Sequence, residues 1–171
     1  MKYSYLIIVV MLFSCSKSGD NSAELAKLPP ATETGANTCG CLVNGKAWVA
    51  KVPAVAGTQA YTIGPVVFMN LTDSVSTAIH FVLRGYEPAI NKYYKINNGQ
   101  GWSSASLDSC GYHSSKDLEN ISRIKFTKLD TVNRIMSGTF SHTFTRASAT
   151  GSSCPVLKFT DCRFDLKYLK N

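Results

Sequence analysis

The side chains with the most chemistry in this 171-residue chain are six cysteines and three histidines. Cys39-Gly-Cys41 and Cys110-Gly-Tyr-His113 together offer three sulfurs and an imidazole, a donor set that tetrahedral zinc accepts. A Cys-x-Cys pair is tighter than the usual two-to-four-residue gap of such sites, so neither a metal nor a cofactor is expected. His142 falls on the apolar side of an alternating segment, the place of a hydrogen-bonded core histidine, and His80 falls on a polar side. The chain contains no Gly-x-Ser-x-Gly elbow, phosphate loop or His-Glu-x-x-His. Asp108, His113 and Ser114 would be the trio of a hydrolase built on residues 103–120, but polar connections assemble such trios by chance. No catalytic residue is therefore expected, and binding is the favoured class. Tyr86, Tyr93, Tyr94 and Trp102 stand among Gly, Asn and Pro in expected loops, where aromatic rings could form an open rim for a glycan or a peptide. Trp48, Tyr61 and Tyr112 are expected mainly to fill the core.

The formal charge is +7 and is concentrated towards the C-terminal end. Arg123, Lys125, Lys128, Arg134, Arg146, Lys158, Arg163, Lys167 and Lys170 face only Asp130, Asp161 and Asp165 there. A basic face attracts anionic polymers or membranes, although a solvated strand face that keeps the chain soluble is the plainer reading. No nucleic-acid-binding motif accompanies the charge, and nucleic acid is not an expected partner.

The elements that must hold these residues begin with an export signal. Lys2 precedes an apolar run, Tyr5-Leu-Ile-Ile-Val-Val-Met-Leu-Phe13, too short to span a bilayer and of the length of a cleaved signal. Leu12-Phe13-Ser14-Cys15 then resembles the bacterial lipobox: an aliphatic residue, a loosely chosen one, a small one and a cysteine. That resemblance implies a signal peptide over 1–14 and acyl chains on Cys15. Several chains together anchor stably, each buried CH₂ contributing about 0.8 kcal/mol. Residues 15–38 then read as the lipidated cysteine and a flexible tether, rich in Ser, Thr, Gly, Pro and Asn, about 25 Å in mean reach. Asp20 resembles the acidic residue of surface-export tags in Bacteroidota lipoproteins, which leaves either side of an outer membrane open.

From residue 39 to 171 the chain reads as one all-β domain. Ile79, Phe81 and Leu83 alternate with polar residues and Val82; so do Ile124 and Phe126. Met136, Gly138, Phe140, His142 and Phe144 share one face, and Phe164, Leu166 and Tyr168 share another. Asn44-Gly45 between apolar residues predicts a tight hairpin, and Asp73-Ser74, Asn97-Asn98-Gly99, Asp130–Asn133 and Asp161-Cys162 predict further reversals. Residues 103–120 read as a long connection with one helical turn over 116–120. Eight to ten strands at this spacing predict an antiparallel β-sandwich; the alternative is a closed or partly open, lipocalin-like barrel carrying a lipid or other small apolar ligand.

Two stretches carry a family resemblance. Asn37-Thr-Cys39-Gly-Cys41-Leu-Val-Asn-Gly-Lys-Ala-Trp48 opens the domain, and Ile135-Met-Ser-Gly-Thr-Phe140 leads to Phe159-Thr-Asp-Cys-Arg-Phe-Asp-Leu-Lys-Tyr168 at its close. Together they resemble a family of uncharacterised Bacteroidota lipoproteins over residues 37–168. The resemblance implies an envelope address and brings no activity. In that family Phe is usual where Cys39 stands, and Gly where Cys162 stands, so the two replacements invite a Cys39–Cys162 disulfide. Five cysteines remain once Cys15 is acylated, so at most two bridges form. The favoured map adds Cys110–Cys154 and leaves Cys41 free and buried; Cys154–Cys162 is the rival pair. The expectation is thus an envelope lipoprotein, outer-membrane-anchored through Cys15 on the periplasmic or surface side. Its all-β domain would bind a glycan or an envelope protein, or act structurally.

Overall fold

The computed structural model describes residues 21–51, 59–63, 66–73, 77–84, 89–96, 101–108, 110–113, 122–144 and 154–170. Cys15 and the expected signal segment lie outside the described residues, as do Asn97-Asn98-Gly99 and 116–120. Asn44 and Gly45 both adopt positive φ, 48° and 81°, as a two-residue hairpin loop requires. They join β1 (Thr38–Val43) to β2 (Lys46–Val49). Asp130 caps the next tight reversal, accepting the Val132 and Asn133 amides between β9 (Arg123–Asp130) and β10 (Ile135–Phe144).

The remaining strands are β3 (Gln59–Ile63), β4 (Val66–Thr72), β5 (Ala78–Arg84), β6 (Tyr93–Lys95), β7 (Gly101–Leu107), β8 (Cys110–His113), β11 (Leu157–Lys167) and β12 (Leu169–Lys170). They form two six-stranded sheets in the orders β2-β1-β11-β10-β9-β6 and β12-β3-β4-β5-β7-β8. All pairings between these strands are antiparallel except the short parallel pairing of β12 with β3, where the chain leaving β11 crosses to the second sheet. The fold is an all-β sandwich, with twelve strands among the described residues. The sheets do not close into a barrel. This removes the lipocalin-like alternative.

The space between the sheets is filled by the inward faces that alternation predicts. Ile79, Phe81 and Leu83 of β5 meet Phe140, His142 and Phe144 of β10, with Ile124, Phe126, Phe159, Phe164 and Leu166 beside them, all buried. Phe81 and Phe140 pack edge to face at 4.8 Å, linking the sheets. Each such buried ring contributes roughly 2–3 kcal/mol through area, with about 1 more from the edge contact. Polar ties cross at the rim, where the Trp48 indole donates to Asp73 at 2.8 Å and the Tyr112 hydroxyl donates to the Pro155 carbonyl at 2.9 Å.

Three expectations are corrected. Asp161-Cys162 is not a reversal: β11 runs straight through it, and the register slips there against both β1 and β10. Asp161 takes a φ of 51°, so the residue pair that looked like a turn is a β-bulge. Residues 103–113 are not a connection but β7 and β8, whose small polar residues hide the alternation. The third correction concerns the tether. Residues 21–37 lie as an ordered strap over the outer face of the first sheet, starting with the single helical turn α1 (Ser22–Leu25).

The strap has a physical cause in one buried side chain. Asp165 of β11 points outward and accepts Thr32 Oγ1 (2.6 Å), Thr34 N (3.0 Å), Thr34 Oγ1 (3.3 Å), Gly35 N (2.8 Å), Ala36 N (3.1 Å) and Ser137 Oγ (2.8 Å). Burial alone would push this carboxyl up. The hydrogen bonds from Thr32, Ser137, Ala36 and Gly35 outweigh it and hold the group well below the usual carboxylate range. Leu28 is buried beside Pro29, which sits so close to Gly40 that a Cβ there would lie 2.5 Å from Pro29 Cδ. Glu24 accepts the Ala47 amide at 2.7 Å, and Asn37 accepts the Lys167 amide at 2.8 Å.

Two substitutions should loosen the strap by separate routes. Asp165→Asn leaves backbone donors unmatched and should cost about 3 kcal/mol in urea unfolding. Gly40→Val should displace Pro29 while leaving the carboxylate intact. In both variants the Gly35 and Ala36 amides should exchange with solvent faster than in the parent. Unchanged exchange in both would show that the strap does not depend on these contacts.

Candidate functional site

The strap crosses the β2, β1 and β11 side of the outer face and reaches the Ile135–Ser137 end of β10 and Lys128 of β9, whose ammonium donates to the Glu33 carbonyl at 2.9 Å; it leaves the other end of β10 and β9, and β6, uncovered. Tyr94, Ile124 and Phe140 stand opposite one another and face inward, so the residues flanking them face out. One outward row runs Tyr93 (β6), Lys125 (β9), Thr139 (β10), Arg163 (β11), each opposite the next. The adjacent row runs Lys95, Arg123, Ser141. Between them lies an open groove of about 260 Å³ lined by Tyr93, Arg123, Thr139, Phe140 and Ser141.

Charge and shape are coupled in this groove. The Arg123 guanidinium lies 5.6 Å and the Lys125 ammonium 5.5 Å from the centre of the Tyr93 ring. Each contact contributes roughly 0.5–1 kcal/mol at such an exposed place and holds the cation beside the groove. Arg163 reaches the strap, donating from Nη2 to the Leu25 carbonyl at 3.2 Å. The carboxylates of β11, Asp161 at the bulge and Asp165 beneath the strap, lie beyond β10 from Arg123 and Lys125. The groove can therefore receive anionic and hydroxyl groups.

Of the expected rim aromatics, Tyr93 is 59% exposed and walls this groove. Tyr94 is not a rim residue. It is 3% exposed, packs edge-on against Phe126 at 5.9 Å, and its hydroxyl accepts the Ala89 amide at 2.7 Å. Adjacent strand residues point to opposite faces, so Tyr93 and Tyr94 could not both be exposed. Trp102 lies in β7 opposite Val82, with its side chain outside the described residues, and Tyr86 also lies outside them. Arg123, Thr139 and Ser141 were not anticipated as site residues. Their only signal was membership in basic or Thr/Ser-rich outward faces, which many solvated strands share.

The cysteines separate into a bridge and a thiol cluster. Cys110 of β8 and Cys154, just before β11, form a disulfide that ties the edge of the second sheet to the first. The expected Cys39–Cys162 bridge is absent: both are free and buried, as is Cys41. Cys39 stands opposite Phe164, and Cys162 opposite Phe140, so the nearer thiol partner of Cys162 is Cys41. Burial pushes all three thiols up. With Cys110 oxidised and Cys39 and Cys41 on the other sheet, the zinc set of Cys39, Cys41, Cys110 and His113 is not assembled.

His142 is fully buried, and its Nε2 lies 2.9 Å from Ser103 Oγ of β7. This Ser–His pair is buried between the sheets, with the His142 ring edge-on to Phe81 and Phe144. Burial drives the imidazole down to about 3. Asp108 and His113 of the suggested hydrolase trio stand apart, Asp108 beside the β7–β8 reversal and His113 opposite Ser104; Ser114 lies outside the described residues. No family model, curated protein or solved structure matches the chain.

Two measurements check this chemistry. His142 stays neutral in the folded state between its ordinary value of 6.5 and about 3, whereas the unfolded chain takes up a proton there. Stability should therefore fall as pH drops through that window, by up to about 1.4 kcal/mol per pH unit from this group. Above about pH 5 His142→Gln should flatten the slope, leaving the smaller contribution of half-buried His80, which burial shifts in the same direction; at lower pH the lowered carboxyls of Glu24, Asp130 and Asp165 add a slope of their own. Alkylation under denaturing, non-reducing conditions should find Cys39, Cys41 and Cys162 free. Cys154→Ser should lower unfolding stability by up to about 4 kcal/mol, the chain-entropy value for a loop of this length.

Proposed function

We propose that this chain is an envelope lipoprotein, moored to an outer membrane by acyl chains on Cys15, whose domain is a non-enzymatic binding module. The observation that carries the binding role is the half-covered outer face of the first sheet. The strap closes one side and leaves the Tyr93–Arg123–Ser141 groove open on the other. Among the described residues the interior is packed with aromatic and aliphatic side chains, and the Ser103–His142 pair is buried among them. The mooring rests on the lipobox-like Leu12–Cys15 and the apolar run before it, and the resemblance to Bacteroidota lipoproteins favours the same address.

The strap also shortens the expected leash. The six Cα steps from Cys15 to Asn21 reach at most about 20 Å. Acylation of Cys15 would thus keep the domain within one domain's width of the bilayer. Its working groove would then meet envelope glycans or envelope proteins.

Expression of the parent and Cys15→Ser in a Gram-negative host, followed by membrane fractionation and intact-mass analysis, tests the mooring. The parent should partition with membranes and carry the mass of acyl chains on a chain that begins at Cys15. The variant should be released to the soluble fraction. Identical fractionation and processing of the two would contradict the lipid anchor.

A further inference from the structure

We propose that the groove lined by Tyr93, Arg123, Thr139 and Ser141, with Lys125 beside the Tyr93 ring, is a binding site for acidic polysaccharide, a chain of sugars bearing carboxylate or sulfate groups. This deepens the binding-module reading and rests on it for the groove being a working surface. Three features of the site converge on that ligand class.

The first is charge in register. Lys125 stands beside Thr139 in one row across the strands, with Arg163 on the other side turned to the strap, while Arg123 and Lys95 extend outward from Ser141 in the next. Successive outward residues on one strand are about 6.8 Å apart and cross-strand neighbours about 5 Å. Cations so spaced can engage anionic groups on neighbouring sugars of one chain, where a single phosphate would meet only one or two of them.

The second is the hydroxyl floor. Thr139 and Ser141 stand between the cations, on the rigid central strand β10, and both border the groove. Hydroxyls donate and accept at one atom, which suits the hydroxyls of a sugar ring better than the aliphatic stem of a peptide. The third is Tyr93, whose exposed ring braces Arg123 and Lys125 and closes one wall with an amphipathic surface.

A membrane surface fits the groove less well. Among the described residues the large exposed apolar side chains are scattered: Leu25 in the strap, Val49 in β2, Val132 at the β9–β10 turn and Val156 ahead of β11. Ile90, also exposed, is the one such aliphatic residue near Tyr93 in sequence, so among the described residues the groove has no continuous apolar rim to enter a bilayer.

The test uses the full-length protein in neutral detergent, titrated by calorimetry with oligogalacturonate, sulfated dextran and unmodified dextran. An Arg123→Gln/Lys125→Gln double variant and Tyr93→Ala are compared with the parent, each checked for an unchanged unfolding midpoint. At least one acidic polymer should bind the parent, and neutral dextran should not. The double variant should weaken that binding at least tenfold and reduce the salt dependence by about two cations' worth. Tyr93→Ala should weaken it severalfold. Oligogalacturonate alone as ligand would identify carboxylate, sulfated dextran alone sulfate, and either supports the site.

Equal binding by the parent and the double variant would overturn the proposal, as would no binding of either acidic polymer. Phosphatidylglycerol vesicles form a further arm. Vesicle binding that the double variant loses and neither polymer competes away would make the groove a membrane face instead, overturning it. Capture of neutral dextran or of an envelope protein through the groove would also overturn it, yet would leave the binding-module reading standing. Failure of that wider reading would appear separately, as no ligand of any class using this face.

Discussion

A single buried carboxylate organises the first sheet. Asp165 is surrounded by neutral donors, three backbone amides and three hydroxyls, and no described cation contacts it. An uncompensated buried charge would cost several kcal/mol, so the chain must bring donors to it. Residues 32–36 supply five of the six bonds, which turns a segment with little apolar content into part of the fold. Leu28 and Pro29 then follow onto Gly40, where the absence of a Cβ leaves them room. The strap, in turn, decides which part of the outer face is covered and which stays open.

That division gives the two faces of the first sheet different tasks. The inner face is apolar and locked to the second sheet by ring packing, by Ser103 and His142, and at the edge by Cys110–Cys154. Its polar members are sealed and serve cohesion. The outer face carries charge and hydroxyls on neighbouring strands, and the described groove residues all belong to β6, β9 and β10. A binding surface on paired strands would lose little conformational entropy when a ligand arrives.

Much of the sandwich was legible because alternation is a local signal. The inward sets of β5, β9, β10 and β11 can be read straight from Ile79–Leu83, Ile124–Phe126, Met136–Phe144 and Phe164–Leu166, and Asn44-Gly45 marked its hairpin. What escaped was non-local or disguised. Asp165 and Gly35 are 130 positions apart, so composition alone cast residues 21–37 as coil. Asp161-Cys162 has turn chemistry, but strong pairing on both sides of β11 absorbs it as a bulge. β7 and β8 are built from small polar residues whose alternation carries little contrast. The family resemblance suggested Cys39–Cys162; register instead sets Cys41 beside Cys162. The groove was half visible: Tyr93 stood out as an aromatic, while Arg123 and Lys125 looked like ordinary solvated charges.

The strap and the open groove beside it both depend on Asp165 being a buried anion satisfied by the strap's donors. Carbon-detected NMR titration of its side-chain carboxyl reads this directly. The signal should remain that of a carboxylate well below the ordinary aspartate range, losing its ionisation only as the strap and fold give way. A midpoint near 4, with the fold intact on both sides of it, would mean that the donors are not there, and the strap with them.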